Sequence, residues 1–152
     1  RLLANCQQKE IMKELEKYMP LKENEQIYSV LQGDCYNMSS DPISRLVGSL
    51  IRIISIVTGS RKRAIIVVTS SRMIKIETQK LLWFIDNSVS AISLTPRSIS
   101  TVGYSLSRSL IIFKSHYFEL VSSGLTTLVK SENGKDGVYK TINCATHITQ
   151  TV

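Results

Sequence analysis

The stretch Arg63-Ala-Ile-Ile-Val-Val-Thr-Ser-Ser-Arg-Met-Ile-Lys-Ile-Glu77 decides the fold. From Ala64 to Val68 it is apolar without interruption, the pattern of a strand covered on both faces. After Thr69-Ser-Ser-Arg72 it alternates, with Ile74 and Ile76 on one face and Lys75 and Glu77 on the other. Two strands joined this closely build a sheet. Nothing in the stretch, or in the rest of the chain, carries the signature of a chemical reaction.

Downstream, further strand candidates follow at 81–85, 89–94, 99–105, 110–114, 117–121 and 125–130. Asp86-Asn87, Pro96-Arg97 and Ser122-Ser-Gly124 supply turn chemistry, and Leu106-Ser-Arg-Ser109 reads as a hairpin connection. The polar loop Asn133-Gly-Lys-Asp136 leads into residues 137–150, where Val138, Ile142, Ala145 and Ile148 share a helical face and Asp136 is the expected N-cap.

Upstream, Ile11, Met12, Leu15, Tyr18 and Met19 recur at helical spacing until Pro20 ends the pattern. A first strand is expected over 26–32, stopping at Gly33-Asp34. Asp41 and Pro42 then open a second helix, whose stripe of Ile43, Leu46, Val47, Leu50, Ile51, Ile54 and Val57 runs to the stop at Gly59. Because β-branched residues crowd its last turns, a strand over 51–58 is the alternative reading.

These elements have a familiar outline. The apolar strand, the Thr-x-x-Arg turn at Thr69–Arg72, the second strand, the aromatic segment Leu82-Trp-Phe-Ile, the segment Val89-Ser-Ala-Ile-Ser and the x-x-I-x-x-V pattern of Arg97-Ser-Ile-Ser-Thr-Val102 together resemble the bacterial pleckstrin-homology-like domains. The resemblance covers most of residues 26–148. It implies an α+β, mainly β chain: a PH-like barrel of about seven strands with an N-terminal helix, an inserted helix between the first two strands and a C-terminal capping helix. Residues 1–25 would be the helix and lead-in, and 26–150 the domain, with its helical insertion at 42–58.

The chain has 152 residues, enough for one domain that buries roughly 68–70% of its unfolded surface. No apolar run approaches the roughly 20 residues needed to cross a bilayer. Cys6, Cys35 and Cys144 are odd in number and far apart, which argues against a disulfide framework and favours the cytosol. Leu2-Leu3-Ala4 is far too short for a secretory core, and a first residue of Arg leaves a removed leader open.

The charge of +7, from 19 Lys and Arg against 12 Asp and Glu, biases the surface towards anions. Arg61-Lys62-Arg63 resembles the end of the basic loop with which phosphoinositide-binding PH domains grip headgroups, although Gln32-Gly33-Asp34 stands where a lysine would be expected. That makes Arg61, Lys62 and Arg63 a candidate contact for an anionic membrane surface. The stripe carrying Leu46, Leu50 and Ile54 is a candidate interface for a protein partner or for a homo-oligomer.

Trp83 and Phe84 are too few aromatics to stack nucleic acid, so none is expected. Cys144-Ala-Thr-His147 has metal-like spacing but no second pair, and neither metal nor cofactor is expected. His116 and His147 stand in a strand and a terminal helix without a nucleophile motif, which argues against an enzyme. The expected function is a non-enzymatic domain for protein contacts or self-assembly, with peripheral binding to anionic lipid headgroups as the alternative.

Overall fold

A computed structural model describes residues 2–39, 61–81, 85–109 and 112–151; for 2–5, 38–39, 61, 80–81, 85–87 and 108–109 it gives the backbone alone. The expected inserted helix, with Leu46, Leu50 and Ile54, and the pair Trp83 and Phe84 lie outside the described residues. Helix α1 (Leu2–Tyr18) comes first, followed by β1 (Ile27–Ser39), β2 (Arg61–Thr69), β3 (Met73–Leu81) and β4 (Ile85–Leu94). A single 3-10 turn (Pro96–Ser98) leads into β5 (Ile99–Ser109), β6 (Phe113–Ser122) and β7 (Leu125–Lys130), and α2 (Gly134–Gln150) ends the chain. The protein is therefore α+β and mainly β, with the seven described strands in one antiparallel sheet of order β4-β3-β2-β1-β7-β6-β5. Among the described residues the sheet is not closed by pairing, since β4 and β5 stand at opposite ends of the order.

Its geometry turns on β1, which serves two partners. Residues 27–34 pair with β2, and residues 35–39 pair with β7. Gly33 sits at the handover. A Cβ built there would lie 1.6 Å from the Lys130 carbonyl oxygen, so only glycine lets β1 pass the end of β7. The expected stop at Gly33-Asp34 is thus a crossing point, and the strand runs on to Ser39.

The uninterrupted apolar run of β2 has the cause its pattern implies. Ala64, Ile66 and Val68 face an inner core with Leu31, Phe118, Leu120 and Val129, on which α2 places Val138, Ala145 and Ile148. Val67, with Ile65 at its margin, faces a second core with Ile74 and Ile76, covered by Ile11 and Leu15 of α1. Each fully buried aliphatic side chain contributes roughly 1.5–3 kcal/mol, so both helices are held by their apolar faces.

Several boundaries differ from the sequence reading. Asp86-Asn87 lies inside β4, with Asp86 opposite Lys80, so no turn falls there. Leu106–Ser109 continues β5 opposite Phe113–His116, and the segments expected at 110–114 and 117–121 form the single strand β6 from Phe113. Asn87 is the extra residue of a bulge, since the register shifts between Gln79 and Lys80 and Asn87 has no partner on β3, whereas the serines of 105–109 mimic turn chemistry in β5 while its pairing with β6 runs on without a shift. At Ser123-Gly124 the expected turn is present and joins β6 to β7 as a hairpin, with φ of 52° and 76°, positive at both central residues. Helix α2 starts at Gly134 with Asn133 as N-cap, rather than after an Asp136 cap; Asp136 instead places its charge in the first turn. Among the described residues, no helix is long and apolar enough to cross a membrane.

Candidate functional site

The alternation of β3 puts Lys75 and Glu77 on the inner face, opposite Ile66 and Ala64 of β2. Both are buried, with side chains 7% and 10% exposed. Charged groups are costly there unless paired, and the surrounding strands supply the partners. Lys62 reaches Glu77 Oε2 at 2.9 Å, Lys75 reaches Oε1 at 3.3 Å, and the Asn37 amide donates to both oxygens at 3.3 Å. Lys75 Nζ also donates to Thr127 Oγ1 at 3.4 Å, and the Thr127 hydroxyl donates to Asn37 Oδ1 at 2.9 Å. Because β3 and β7 are three places apart in the strand order, the Lys75–Thr127 contact shows the sheet folded over upon itself.

This cluster fixes protonation states. Desolvation pushes the Glu77 carboxyl up, but the Lys62 bond, the charges of Lys75 and Lys62 and the Asn37 amide outweigh it and hold the group below its ordinary value. Cys35, 3.8 Å from Glu77 Oε1, is pushed up to about 12 by burial and by the adjacent carboxylate, so it remains a thiol and a weak nucleophile. Two lysines against one carboxylate leave the cluster one positive charge in excess.

A cavity of about 330 Å³ opens beside it, lined by Lys75, Ile92, Leu94, Leu120, Leu125 and Thr127 together with Ser122 and Ser123. Four of these residues are aliphatic; Lys75 and Thr127 supply the buried polar groups, and Ser122 and Ser123 lie at the turn between β6 and β7.

The basic triplet behaves differently from the expected loop. Arg61, Lys62 and Arg63 are the first residues of β2, in register with Lys80, Gln79 and Thr78. Lys62 turns inward to Glu77, while Arg63 pairs with Glu132 beyond β7. Two of the three residues thus have carboxylate partners and diverge to opposite sides of their strand, as the period of two demands.

A second ion pair clips the turn at Thr69–Arg72. Arg72 donates to Glu25 through Nε at 2.9 Å and Nη2 at 3.2 Å, and to the Pro20 carbonyl at 2.9 Å. The Thr69 hydroxyl donates to Glu25 at 2.6 Å and also accepts from the Arg72 amide at 3.1 Å. The histidines have structural partners: His116 Nδ1 is 2.6 Å from the Tyr104 hydroxyl, whose ring stacks on Tyr139, and His147 meets Tyr28 edge to face.

Sequence reasoning missed Lys75, Glu77, Asn37 and Thr127 as a unit. The signal was present in β2: a strand covered on both faces implies that its neighbour β3 is covered too, so the polar half of an alternating pattern must point inside. Comparison with protein-family models and with curated proteins gives no match.

Proposed function

We propose that the chain is a PH-like domain without catalytic activity that works by self-association. The strand order supports the PH-like reading: two antiparallel meanders share β1, and a C-terminal helix packs on the inner core. The observation that carries self-association is the apolar surface beside the sheet's outer strand. Ile112 is 81% exposed and Phe113 63% exposed at the β5–β6 end, with Leu106 exposed on β5 itself. Among the described strands β5 has one neighbour, so its other edge offers backbone groups to a second copy. The non-catalytic reading draws support from Cys35 held as a thiol and His116 engaged by Tyr104.

Sedimentation equilibrium over a concentration series tests this. A dimer or larger species that Ile112→Ser with Phe113→Ser returns to monomer is the expected result. With a charge of +7 on each copy, added salt screens mutual repulsion and strengthens the association. A strict monomer at every concentration and salt would overturn the proposal.

The alternative, contact with anionic lipid through Arg61, Lys62 and Arg63, draws on the net charge but is weakened by the carboxylates facing Lys62 and Arg63. It requires the opposite salt dependence: binding to anionic vesicles that salt abolishes.

A further inference from the structure

The cavity beside Lys75 has a chemistry that neither self-association nor the basic strand end uses. Its lining combines Ile92 and Leu94 of β4, Leu120 of β6 and Leu125 of β7 with Ser122 and Ser123 at the β6–β7 turn, and its buried polar group is Lys75 beside Thr127. Ile92 is 41% and Leu125 40% exposed, so these aliphatic side chains stand at the opening together with the exposed Ser123. A volume of about 330 Å³ falls at the small end of the range for small-molecule sites.

The sign of the site follows from its charges. Lys62 holds Glu77 at 2.9 Å, so the carboxylate behind Lys75 is already neutralised by another partner, and an anion approaching Lys75 meets little net repulsion. Lys75 spans longer distances, 3.3 Å to Glu77 and 3.4 Å to Thr127. An ammonium carries three donors, so Lys75 retains capacity for a further, stronger acceptor. The Thr127 proton is engaged by Asn37, so Thr127 accepts from Lys75 and serves as a positioning residue. A cavity with four aliphatic lining residues and a buried cation suits a ligand with one negative head and one hydrocarbon tail.

We propose that this cavity binds a single-chain aliphatic carboxylate, its head on the Lys75 ammonium and its tail along Leu94, Leu120 and Leu125 towards the rim. A charge-assisted bond in a desolvated site separates such a ligand from its uncharged and cationic analogues by at least about tenfold in affinity.

The probe is sodium decanoate, titrated calorimetrically into the full chain below its micelle-forming concentration, with decanol and decyltrimethylammonium as controls. Saturable one-to-one binding of decanoate, at least about tenfold tighter than either control, is expected. Lys75→Met should weaken it by a similar factor, with circular dichroism checking the fold. Leu125→Trp, at a rim position that is 40% exposed, should block the cavity and abolish binding even where Lys75→Met proves unstable, with circular dichroism checking its fold as well. The proposal is overturned if decanoate fails to saturate, if decanol binds equally well, or if Leu125→Trp leaves the affinity unchanged.

Discussion

Glu77 shows how far one side chain can organise its surroundings. It joins β3 to β2 through Lys62 and to β1 through Asn37, and it holds Lys75 in place beneath β7. Removing it leaves two lysines without their counter-charge, one of them buried. Glu77→Ala should therefore lower the unfolding free energy by about 3–5 kcal/mol in urea denaturation at neutral pH. Replacing Lys62 and Lys75 by Met together with Glu77→Leu should recover most of that loss, because the charges that needed compensation are gone. If the triple variant is no more stable than Glu77→Ala, the cost lies in packing and not in charge. At this scale the sequence was legible in pattern but not in direction: the alternation of Ile74, Lys75, Ile76 and Glu77 gave the two faces, yet not which of them looked inward. Only the burial of β2 on both faces could have decided that.

Between elements, the clip of Glu25 and Arg72 ties the segment after α1 to the turn joining β2 and β3. The Glu25 side chain is 2% exposed. Desolvation pushes its carboxyl up, but the hydrogen bonds from Arg72, Thr69 and the Lys22 amide, with the Arg72 charge, bring it down to about 2 from the ordinary 4.5. A carboxyl depressed on folding contributes stability that is complete above its unfolded value and is lost as pH falls through its folded value. The contribution, on the order of 3 kcal/mol, should thus be intact above pH 4.5 and disappear towards pH 2. Urea melts between pH 6 and pH 2.5, roughly the span of that titration, should show this slope flattened in Glu25→Gln. A slope unchanged by the substitution would place acid sensitivity elsewhere. The Thr-x-x-Arg spacing made this turn visible in the sequence, since Thr69 and Arg72 are bound to each other. Strand ends were less legible. Leu106–Ser109 carries turn-forming residues inside β5, where ladder partners override local preference, and Asp86-Asn87 puts its turn chemistry into a bulge of β4 and not into a chain reversal.

For the molecule as a whole, two meanders depend on the one strand they share. The first and last helices could be anticipated from periodicity, whereas the count of about seven strands came from the resemblance and the periodic segments split β6 in two; the order β4-β3-β2-β1-β7-β6-β5 could not be read from the pattern, because the link between β1 and β7 is a steric fact about Gly33. Gly33→Ala should be among the most damaging small changes in the chain, costing at least about 3 kcal/mol, since the added carbon meets backbone and cannot be relieved by a side-chain rotation. Amide exchange checks the mechanism: protection should fall first along residues 35–39 and 125–129, leaving the β2–β3 ladder protected.

The divided loyalty of β1 also sets a timetable. Its first half meets β2 early, but Asn37 waits for Thr127, which lies 90 residues further along the chain. At a synthesis rate of about 5–20 residues per second, that interval is roughly 5–20 s. Throughout it, half of the shared strand is a finished edge with its natural partner still unmade. Whatever shields residues 35–39 in that window governs the yield of folded protein, so the step most exposed to misassembly is fixed by where the last strand is encoded.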